Sequence, residues 1–502
     1  MVLNENEYLI PGTDLIDLDS VQMSNDKAHE CGLMGVYYPG TESKLDIMRV
    51  GMLALRNRGQ SGAGIAVFDD YGMPKVNRGK GSVKSVLTPD FLASCAEYDK
   101  SPTILGHIRY STSGDRHGIS GTQPFYPPGG NWALAHNGHM ELIGEDLNTL
   151  SVPEPDILSD SHALTMGIHD YCRKNGIDLL EGLRQVLPQI RPAYSLLIGQ
   201  GERLIGARDN LGMRPLVIGQ WATGGYVLCS ETIALDKTGA TYIDDVNPGE
   251  LVVADSSGLY REQLTQRHKE SFCVFELIYF MHQGSLYKGE HDVASIREAL
   301  GFRLGFDTGL TARDADIVLP VLDSGLPAAQ GFARSTGILL DTISMTRDDN
   351  VDRTFINDKK SEISQIVALK QHVNSNRIAG KRVVIVDDSI VRGNTQQKLV
   401  LMLKDAGAVE VIVAIPSPMY MRGCFYGMDT RNLDDLVAYE GESETVRQYI
   451  GADRLFYLSL NSFRKSLNLA INSGESDNFC MGCMDSNYPT DIPVSQTKKQ
   501  IH

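Results

Sequence analysis

VVIVDDSIVRGNT, residues 383–395, is the stretch that decides the fold of the second half of this chain. Its first four residues are apolar and rich in β-branched side chains, which is typical of a buried strand. Asp387 and Asp388 follow at once, and a short loop with hydroxyls, an arginine and a glycine comes next. From about Gln396 apolar residues return at helical spacing, and residues 409–415 are again strand-like. This order predicts a parallel sheet, in which ligands bind beyond the carboxyl ends of the strands.

The predicted loop combines two kinds of binding group. Free backbone N–H groups, a helix N-terminus and hydroxyls suit a phosphate. Paired carboxylates suit sugar hydroxyls or Mg²⁺. The stretch resembles the phosphoribosylpyrophosphate (PRPP) loop of type I phosphoribosyltransferases, above all VDDSIVRGTT of the amidophosphoribosyltransferase family, with Asn394 in place of Thr. The resemblance implies that PRPP is bound by Asp387, Asp388, Ser389, Arg392, Gly393 and Thr395.

Length and composition limit the number of domains, the kinds of partner and the cellular location that we expect. A chain of 502 residues is long enough for two or more domains. The net charge of −16 argues against a nucleic-acid or anionic-membrane partner. No run approaches the roughly 18 apolar residues of a membrane span, and the first residues lack a secretory pattern, so we expect a cytoplasmic protein. The eight cysteines are better explained as reduced thiols than as a disulfide scaffold.

Four stretches in the first half carry a second resemblance. They are CGLMG at 31–35, LRNRGQSGAGI at 55–65, GHIRYSTSG at 106–114, and QPF at 123–125 followed by ALAHNG at 133–138. Together they resemble the glutaminase domain of the N-terminal-nucleophile amidotransferases. In that family a leader is removed and the cysteine becomes the first residue. Its free α-amino group, with a pKa of about 7.7–8.0, can then serve as the base that an internal cysteine lacks.

The resemblance assigns roles to single residues. It implies that Cys31 is the nucleophile, that Asn137 and Gly138 form the oxyanion hole, and that Arg109 and Asp160 bind the carboxylate and ammonium of glutamine. Taken alone, Arg109 or Asp160 is better explained by a surface salt bridge. The Asn-Gly pair alone is better explained by a type I′ hairpin turn. Asn57 replaces the family's usual His, and we assign it no catalytic role.

The expected organisation follows from these motifs. Residues 1–30 are a leader, 31–260 a glutaminase domain, and 261–502 a phosphoribosyltransferase domain with a metal-ligating C-terminal tail. The implied fold is an α+β N-terminal-nucleophile hydrolase sandwich (αββα), followed by an α/β type I phosphoribosyltransferase domain.

Two cofactors are expected. The stretch IVLPVLDSG at 317–325 resembles the family's pyrophosphate loop, and it implies that Mg²⁺ is bound by Ser324, Asp387 and Asp388. Near the C-terminus, CMGC supplies two thiols, and two more stand at the family's ligand positions; the set is Cys273, Cys424, Cys480 and Cys483. Four thiolates suit zinc or an iron–sulfur cluster, and the residues alone leave both open. The resemblance implies a structural [4Fe–4S] cluster.

The implied function is that of a glutamine-dependent amidotransferase. It would convert PRPP, glutamine and water to 5-phosphoribosylamine, glutamate and pyrophosphate, the first step of de novo purine biosynthesis, with ammonia passing through a shielded tunnel. Two alternatives stay open: a specialised-pathway relative that aminates another activated sugar phosphate, and a non-catalytic regulatory or assembly homologue. We also expect purine nucleotide effectors and a homo-oligomer, a dimer or tetramer.

One loop departs from the family. Relatives carry a stretch resembling KNRYVGRTFI, whereas residues 347–356 here read RDDNVDRTFI. Arg353 is kept and is expected to bind PRPP. The added carboxylates Asp348, Asp349 and Asp352 would oppose a polyanion, so this loop predicts weaker PRPP affinity and looser coupling of the two reactions.

Overall fold

The computed structural model describes residues 31–110, 118–140, 159–266, 268–347, 371–428, 430, 432–439, 441–472 and 478–492. The predicted leader, residues 1–30, lies outside the described residues. Arg353 and residues 348–370 around it lie outside them as well.

The first half contains two antiparallel sheets. Its strands are β1 (Gly32–Tyr37), β2 (Gly62–Phe68), β3 (Pro74–Lys80), β4 (Thr103–Arg109), β5 (Ala133–Gly138), β6 (Tyr194–Gln200), β7 (Arg203–Arg208), β8 (Val217–Gln220), β9 (Tyr226–Cys229), β10 (Thr241–Asp245), β11 (Glu250–Asp255) and β12 (Gly258–Gln263). One sheet has the order β10-β8-β9-β1-β4-β2-β3, and the other has the order β12-β11-β7-β6-β5. Strand β12 carries the second sheet past the predicted domain boundary at residue 260.

The two sheets pack face to face and helices cover their outer faces. The helices are α1 (Lys44–Ala54), α2 (Val83–Val86), α3 (Pro89–Ala96), α4 (Asp160–Asn175), α5 (Leu179–Val186) and α6 (Thr232–Thr238). Leu33 and Leu105 of one sheet meet Leu197 and Val252 of the other in a common buried core. Helices α1 and α6 cover the first sheet, and α4 and α5 cover the second. The predicted αββα sandwich is therefore confirmed.

The second half is built on a parallel sheet with the order β17-β16-β20-β21-β22. Its strands and the small ribbons around it are β13 (Phe272–Cys273), β14 (Leu286–Tyr287), β15 (His291–Asp292), β16 (Ile317–Pro320), β17 (Leu339–Leu340), β18 (Met345–Arg347), β19 (Gln371–Val373), β20 (Arg382–Val386), β21 (Glu410–Ile415), β22 (Arg454–Tyr457) and β23 (Phe479–Cys480). The predicted strands at 383 and 409 are β20 and β21, and they pair in parallel as expected.

Helices lie on both faces of this sheet. They are α7 (Val293–Thr308), α8 (Leu326–Thr336), α9 (Ser375–Ile378), α10 (Asn394–Asp405), α11 (Ser443–Ile450), α12 (Leu460–Ala470) and α13 (Gly482–Asp485). Helices α7, α8 and α12 pack on one face, and α10 and α11 on the other. Helix α10 is the predicted helix, and Gly407 follows its end with a φ of 89°, a left-handed conformation that favours glycine.

The junction between the halves begins with β13, which leads into a π-helix at Glu276–Phe280. Strand β23, from the C-terminal tail, pairs with β13 in parallel. The tail therefore returns to the point where the two halves meet.

None of the helices in the described ranges combines the length and the apolar character needed to cross a membrane.

Candidate active sites

Cys31 lies directly before β1, the central strand of the first sheet. Gly32 pairs with Ile108, so Cys31 and Arg109 occupy the adjoining positions at the ends of neighbouring strands. The cysteine is half-buried, and its carbonyl oxygen accepts a hydrogen bond of 2.9 Å from Nε of Arg58. The strand register thus brings together two residues that the sequence predicted for one site.

Asn137 and Gly138 end β5 in the second sheet, where they pair with Ser195 and Tyr194. They are thus part of a strand rather than a two-residue hairpin turn. Among the described residues, neither polar side-chain atom of the wholly buried Asn137 has a hydrogen-bond partner. Gly138 has a φ of 135°, and an added Cβ would lie 2.3 Å from the carbonyl oxygen of Ala193. A buried amide without a partner and an obligatory glycine suit the oxyanion hole.

Three hydrogen bonds, with one step along the main chain, connect the two residues expected to bind glutamine. Nη1 of Arg109 donates to Oγ1 of Thr122 at 3.4 Å. The next residue, Gln123, donates from Nε2 to Oγ of Ser161 at 3.2 Å. The N–H of Ser161 donates to Oδ1 of Asp160 at 2.7 Å. Thr122 and Ser161 were not predicted from the sequence, because their contacts with Arg109 and Asp160 form only in the folded chain.

Asp160 is surrounded by groups that favour its charged form. The N–H of Met140 donates to its Oδ2 at 3.0 Å, and Nδ1 of His139 lies 3.6 Å from the same oxygen. Burial would raise the pKa of Asp160, but His136, His139 and the backbone donors outweigh it and hold the pKa below its ordinary value. An ionised carboxylate here could bind the ammonium group of an amino acid.

The second candidate site lies beyond the carboxyl ends of β16 and β20. Asp387, Asp388 and Ser389 directly follow β20 and are buried. Ser324, from the loop after β16, donates to Oδ2 of Asp388 at 2.5 Å. Gln396, on the first turn of α10, donates to Oδ2 of Asp387. The two predicted loops therefore meet, and Gln396 is a member of the site that the sequence did not suggest.

The rest of the predicted loop forms the start of α10. Gly393 has a φ of 80°, again left-handed, and α10 begins at the next residue. Asn394 accepts a hydrogen bond of 2.9 Å from the hydroxyl of Tyr449, and Thr395 lies in the first turn. Nη2 of Arg392 lies 3.9 Å from Oδ2 of Asp435. A helix N-terminus that follows a glycine turn is a suitable phosphate-binding element.

A small cavity adjoins this site, lined by Ile278, Arg297, Leu300, Ser324, Ala328, Asp388 and Pro416. Arg297 is buried and donates to the carbonyl oxygens of Leu277 and Met281 at 2.8 and 2.7 Å. Burial lowers the pKa of Arg297 to about 10, although Asp388 acts in the opposite direction. No motif in the sequence predicted that Arg297 would lie beside this site.

The four predicted thiol ligands lie in segments that contact one another. Cys273 and Cys480 are paired residues of β13 and β23. The carbonyl oxygen of Cys483 accepts hydrogen bonds from the N–H groups of Met421 and Arg422, in the segment before Cys424. Burial raises the pKa of Cys483, and the nearby thiols of Cys424, Cys480 and Cys273 raise it further. All four are free cysteines.

The described ranges contain no group of three His, Cys, Asp or Glu side chains placed to hold a metal ion. The chemistry of the four thiols nevertheless fits the expected cluster, and that of the oxygen donors fits the expected Mg²⁺. Thiols are the soft donors that zinc and iron–sulfur clusters take, and all four cysteines are free. Ser324, Asp387 and Asp388 offer the hard oxygen donors that Mg²⁺ prefers.

Comparison with known proteins gives consistent matches. The phosphoribosyl transferase domain model matches residues 284–443. An amidophosphoribosyltransferase of Synechocystis sp. is 36% identical over 502 residues, covering 98% of this chain and 98% of that protein. One from Bacillus subtilis is 34% identical, covering 92% of this chain and 94% of that protein.

Two solved structures are similar over nearly the whole chain. One is described as the allosteric regulatory enzyme of purine biosynthesis; it has a TM-score of 0.82 at 34% identity, covering 93% of this chain and 97% of that one. The other is the glutamine PRPP amidotransferase of Bacillus subtilis complexed with ADP and GMP, with a TM-score of 0.81 at 34% identity, covering 92% and 98%. The similarity thus extends across both halves and both candidate sites.

Proposed function

The chain belongs to the amidophosphoribosyltransferase family, and we propose that its two sites carry out successive halves of one reaction. It is a glutamine amidotransferase that acts on PRPP in the first step of purine biosynthesis. The observation that carries this conclusion is the presence, in one chain, of Cys31 and Asn137 at the ends of sandwich strands and of the Asp387–Asp388 loop at the end of β20.

In the first site, Cys31 attacks the side-chain amide of glutamine. A thioester forms as the carbon–nitrogen bond breaks and ammonia leaves, and water then releases glutamate. Asn137 and the N–H of Gly138 stabilise the oxyanion, while Arg109 and Asp160 bind the carboxylate and ammonium of the substrate. Removal of residues 1–30 gives Cys31 the α-amino group that accepts the thiol proton.

In the second site, ammonia attacks C1 of PRPP and pyrophosphate leaves, which yields 5-phosphoribosylamine. Asp387 and Asp388 bind the ribose hydroxyls, and the start of α10 with Ser389, Arg392, Gly393 and Thr395 binds phosphate. Arg353, outside the described residues, is proposed to bind PRPP. Mg²⁺ would be held by Ser324, Asp387 and Asp388, and it would supply charge neutralisation for the leaving group.

The four thiols are proposed to hold a [4Fe–4S] cluster. Their placement supports this proposal, because Cys480 and Cys483 lie in the C-terminal tail whereas Cys273 and Cys424 lie in the body of the second half. A cluster on these ligands would fasten the tail to the body. The proposed role is structural, since the overall reaction transfers no electrons.

Regulation and assembly remain predictions. The Bacillus subtilis relative was solved with ADP and GMP, which supports the proposal that purine nucleotides are effectors of this chain. A homo-oligomer and a cytoplasmic location are also proposed.

The decisive experiment measures glutamate and pyrophosphate released from glutamine, PRPP and Mg²⁺. Wild-type enzyme is expected to release both, and Cys31→Ala is expected to lose glutamine use but keep amination by concentrated ammonium salts. Cys95→Ala, a buried cysteine elsewhere in the first half, is the matched control and should use glutamine normally. Normal glutamine use by Cys31→Ala would rule out Cys31 as the nucleophile.

The same assay addresses the alternatives. A non-catalytic homologue would release neither product. An enzyme for another sugar phosphate would release glutamate and an aminated sugar only when that other substrate replaces PRPP.

A further inference from the structure

Four buried charged side chains lie between the two halves of the molecule. Arg58, Arg214 and Glu231 come from the first half and Glu276 from the second, and each has an exposed fraction of 0%. Arg58 lies 2.8 Å from Glu231 and 3.0 Å from Glu276, and Arg214 lies 3.4 Å from Glu276. Two positive and two negative charges cancel, and this pairing is what makes their burial tolerable.

Arg58 also contacts the proposed nucleophile. Its Nε–H donates to the carbonyl oxygen of Cys31, while Nη1 donates to Glu231 and both Nη atoms donate to Glu276. A guanidinium is planar, so contacts at Nε and both Nη atoms fix its position and its orientation together. The direction of the hydrogen bond to Cys31 is therefore set partly by Glu276, a residue of the other half.

The second carboxylate of the group joins the halves in the same way. Glu231 accepts from the N–H of His282 and from the hydroxyl of Ser285, each at 2.7 Å. Burial would raise the pKa of Glu231, but Arg58 and these donors outweigh it and hold the pKa below its ordinary value. An ionised Glu231 keeps one side of Arg58 in place, and Glu276 keeps the other.

The group extends toward the thiols. Nη2 of Arg214 donates to the carbonyl oxygen of Tyr426 at 2.8 Å, and the N–H of Tyr426 donates to Sγ of Cys424 at 3.4 Å. Glu276 follows Cys273 in the segment that begins with β13. The buried ion pairs thus form a continuous set of contacts from the second half to the main chain of Cys31.

We propose that Glu276 is a positioning residue of the glutaminase site, which acts by holding Arg58 and, through Arg58, the main chain of Cys31. This inference rests on the proposed function, in which Cys31 attacks glutamine. A shift of about 1 Å in a reacting group can lower a rate by about a hundredfold. A residue of the second half thereby helps to determine the rate of glutamine use in the first half.

The test is Glu276→Gln, assayed with glutamine and, separately, with ammonium as the nitrogen donor. The kcat with glutamine is expected to fall about ten- to a hundredfold, while the kcat with ammonium and the KM for PRPP stay within about twofold of wild type. A merely structural role would lower both kcat values together. A parallel loss, or an unchanged kcat with glutamine, would overturn the inference.

A second variant guards against misfolding, because Glu276→Gln alone leaves one buried positive charge uncancelled. Glu276→Gln combined with Arg214→Met keeps the charges balanced, and the same selective loss of glutamine use is expected. Wild-type glutamine use by this double variant would refute the positioning role.

Glu270→Gln is the matched control. Glu270 pairs with the buried Arg208 and with Lys288, close to the same junction but away from Arg58. Both activities should be unchanged in this variant; a selective loss of glutamine use here would show that any loosened junction has the same effect, and would overturn the inference. Wild-type enzyme without glutamine-dependent pyrophosphate release would instead refute the proposed function itself.

Discussion

Cys273 and Cys480 are paired residues of a two-stranded parallel ribbon that joins the start of the second half to the C-terminal tail. Beside them, Phe272 and Phe479 also pair, and their rings meet edge to face at 6.4 Å. Apolar contact and backbone pairing therefore place Cys273 beside Cys480 at the junction of the two halves. These two residues are half of the set that we propose to hold the cluster.

The first prediction concerns that cluster. Protein prepared without oxygen should contain about four irons per chain, the content of a [4Fe–4S] centre. Cys480→Ser should lose the iron, and the tail should become sensitive to proteolysis because its metal attachment is gone. Cys172→Ser, in α4, is the control and should keep both iron and resistance. Stoichiometric zinc without iron in the wild-type protein would contradict the assignment.

The second prediction separates activity from stability at Asn137. The Asn137 side chain has no hydrogen-bond partner among the described residues, so Asn137→Ala removes no side-chain hydrogen bond within that part of the chain. The kcat with glutamine should fall about 10²–10³-fold, as for loss of one oxyanion donor, while the free energy of unfolding changes little.

Asn77→Ala provides the contrast. Asn77 donates to Ser94 and Cys95, so its loss should lower stability and leave the kcat with glutamine unchanged. An Asn137→Ala enzyme with near-normal kcat would exclude Asn137 from the oxyanion hole.

The third prediction concerns pH. His107 is buried in β4, and burial, followed by the charges of Arg109 and His136, lowers its pKa to about 3. An unfolded histidine titrates near pH 6.5, so between pH 6.5 and 3 the unfolded chain binds a proton that the folded protein does not. Above pH 6.5 the histidine is neutral in both states. As the pH falls below 6.5, protonation of the unfolded chain lowers the free energy of unfolding.

His107→Phe keeps a ring of similar shape and removes the titration. Between pH 6.5 and 5, wild type is expected to lose about 1.5 kcal/mol more unfolding free energy than the variant. Urea unfolding at both pH values provides the measurement, and identical pH dependence of the two proteins would contradict the prediction.

The fourth prediction concerns the 347–360 loop, most of which lies outside the described residues. Its extra carboxylates are expected to weaken PRPP binding and to let some glutamine be hydrolysed without amination. The ratio of glutamate to pyrophosphate released should exceed one, and Asp349→Arg, Asn350→Tyr and Asp352→Gly together should lower it. A wild-type ratio near one, with tight PRPP binding that the triple change does not improve, would disprove the idea.

Local patterns in the sequence were sufficient for much of the structure. The strand, loop and helix around residue 387 are confirmed because β-branched runs, a glycine turn and helical spacing act over a few neighbouring residues. The two-sheet sandwich of the first half is confirmed for a different reason, namely its resemblance to a family of known fold. The site roles of Gln396 and Arg297 were not predicted, because neither residue forms part of a recognisable motif.

The sequence by itself determined the kinds of elements, the positions of Cys31 and Asn137 in one chain with the Asp387–Asp388 loop, and the family. The tertiary structure alone decided contacts that no motif predicted: Arg58 with Glu276, Arg214 with Glu276, and Gln396 with Asp387. The physical reason is the separation along the chain over which each interaction acts. Secondary structure follows from interactions between near neighbours, whereas buried ion pairs and strand pairing form only when distant segments exclude water together.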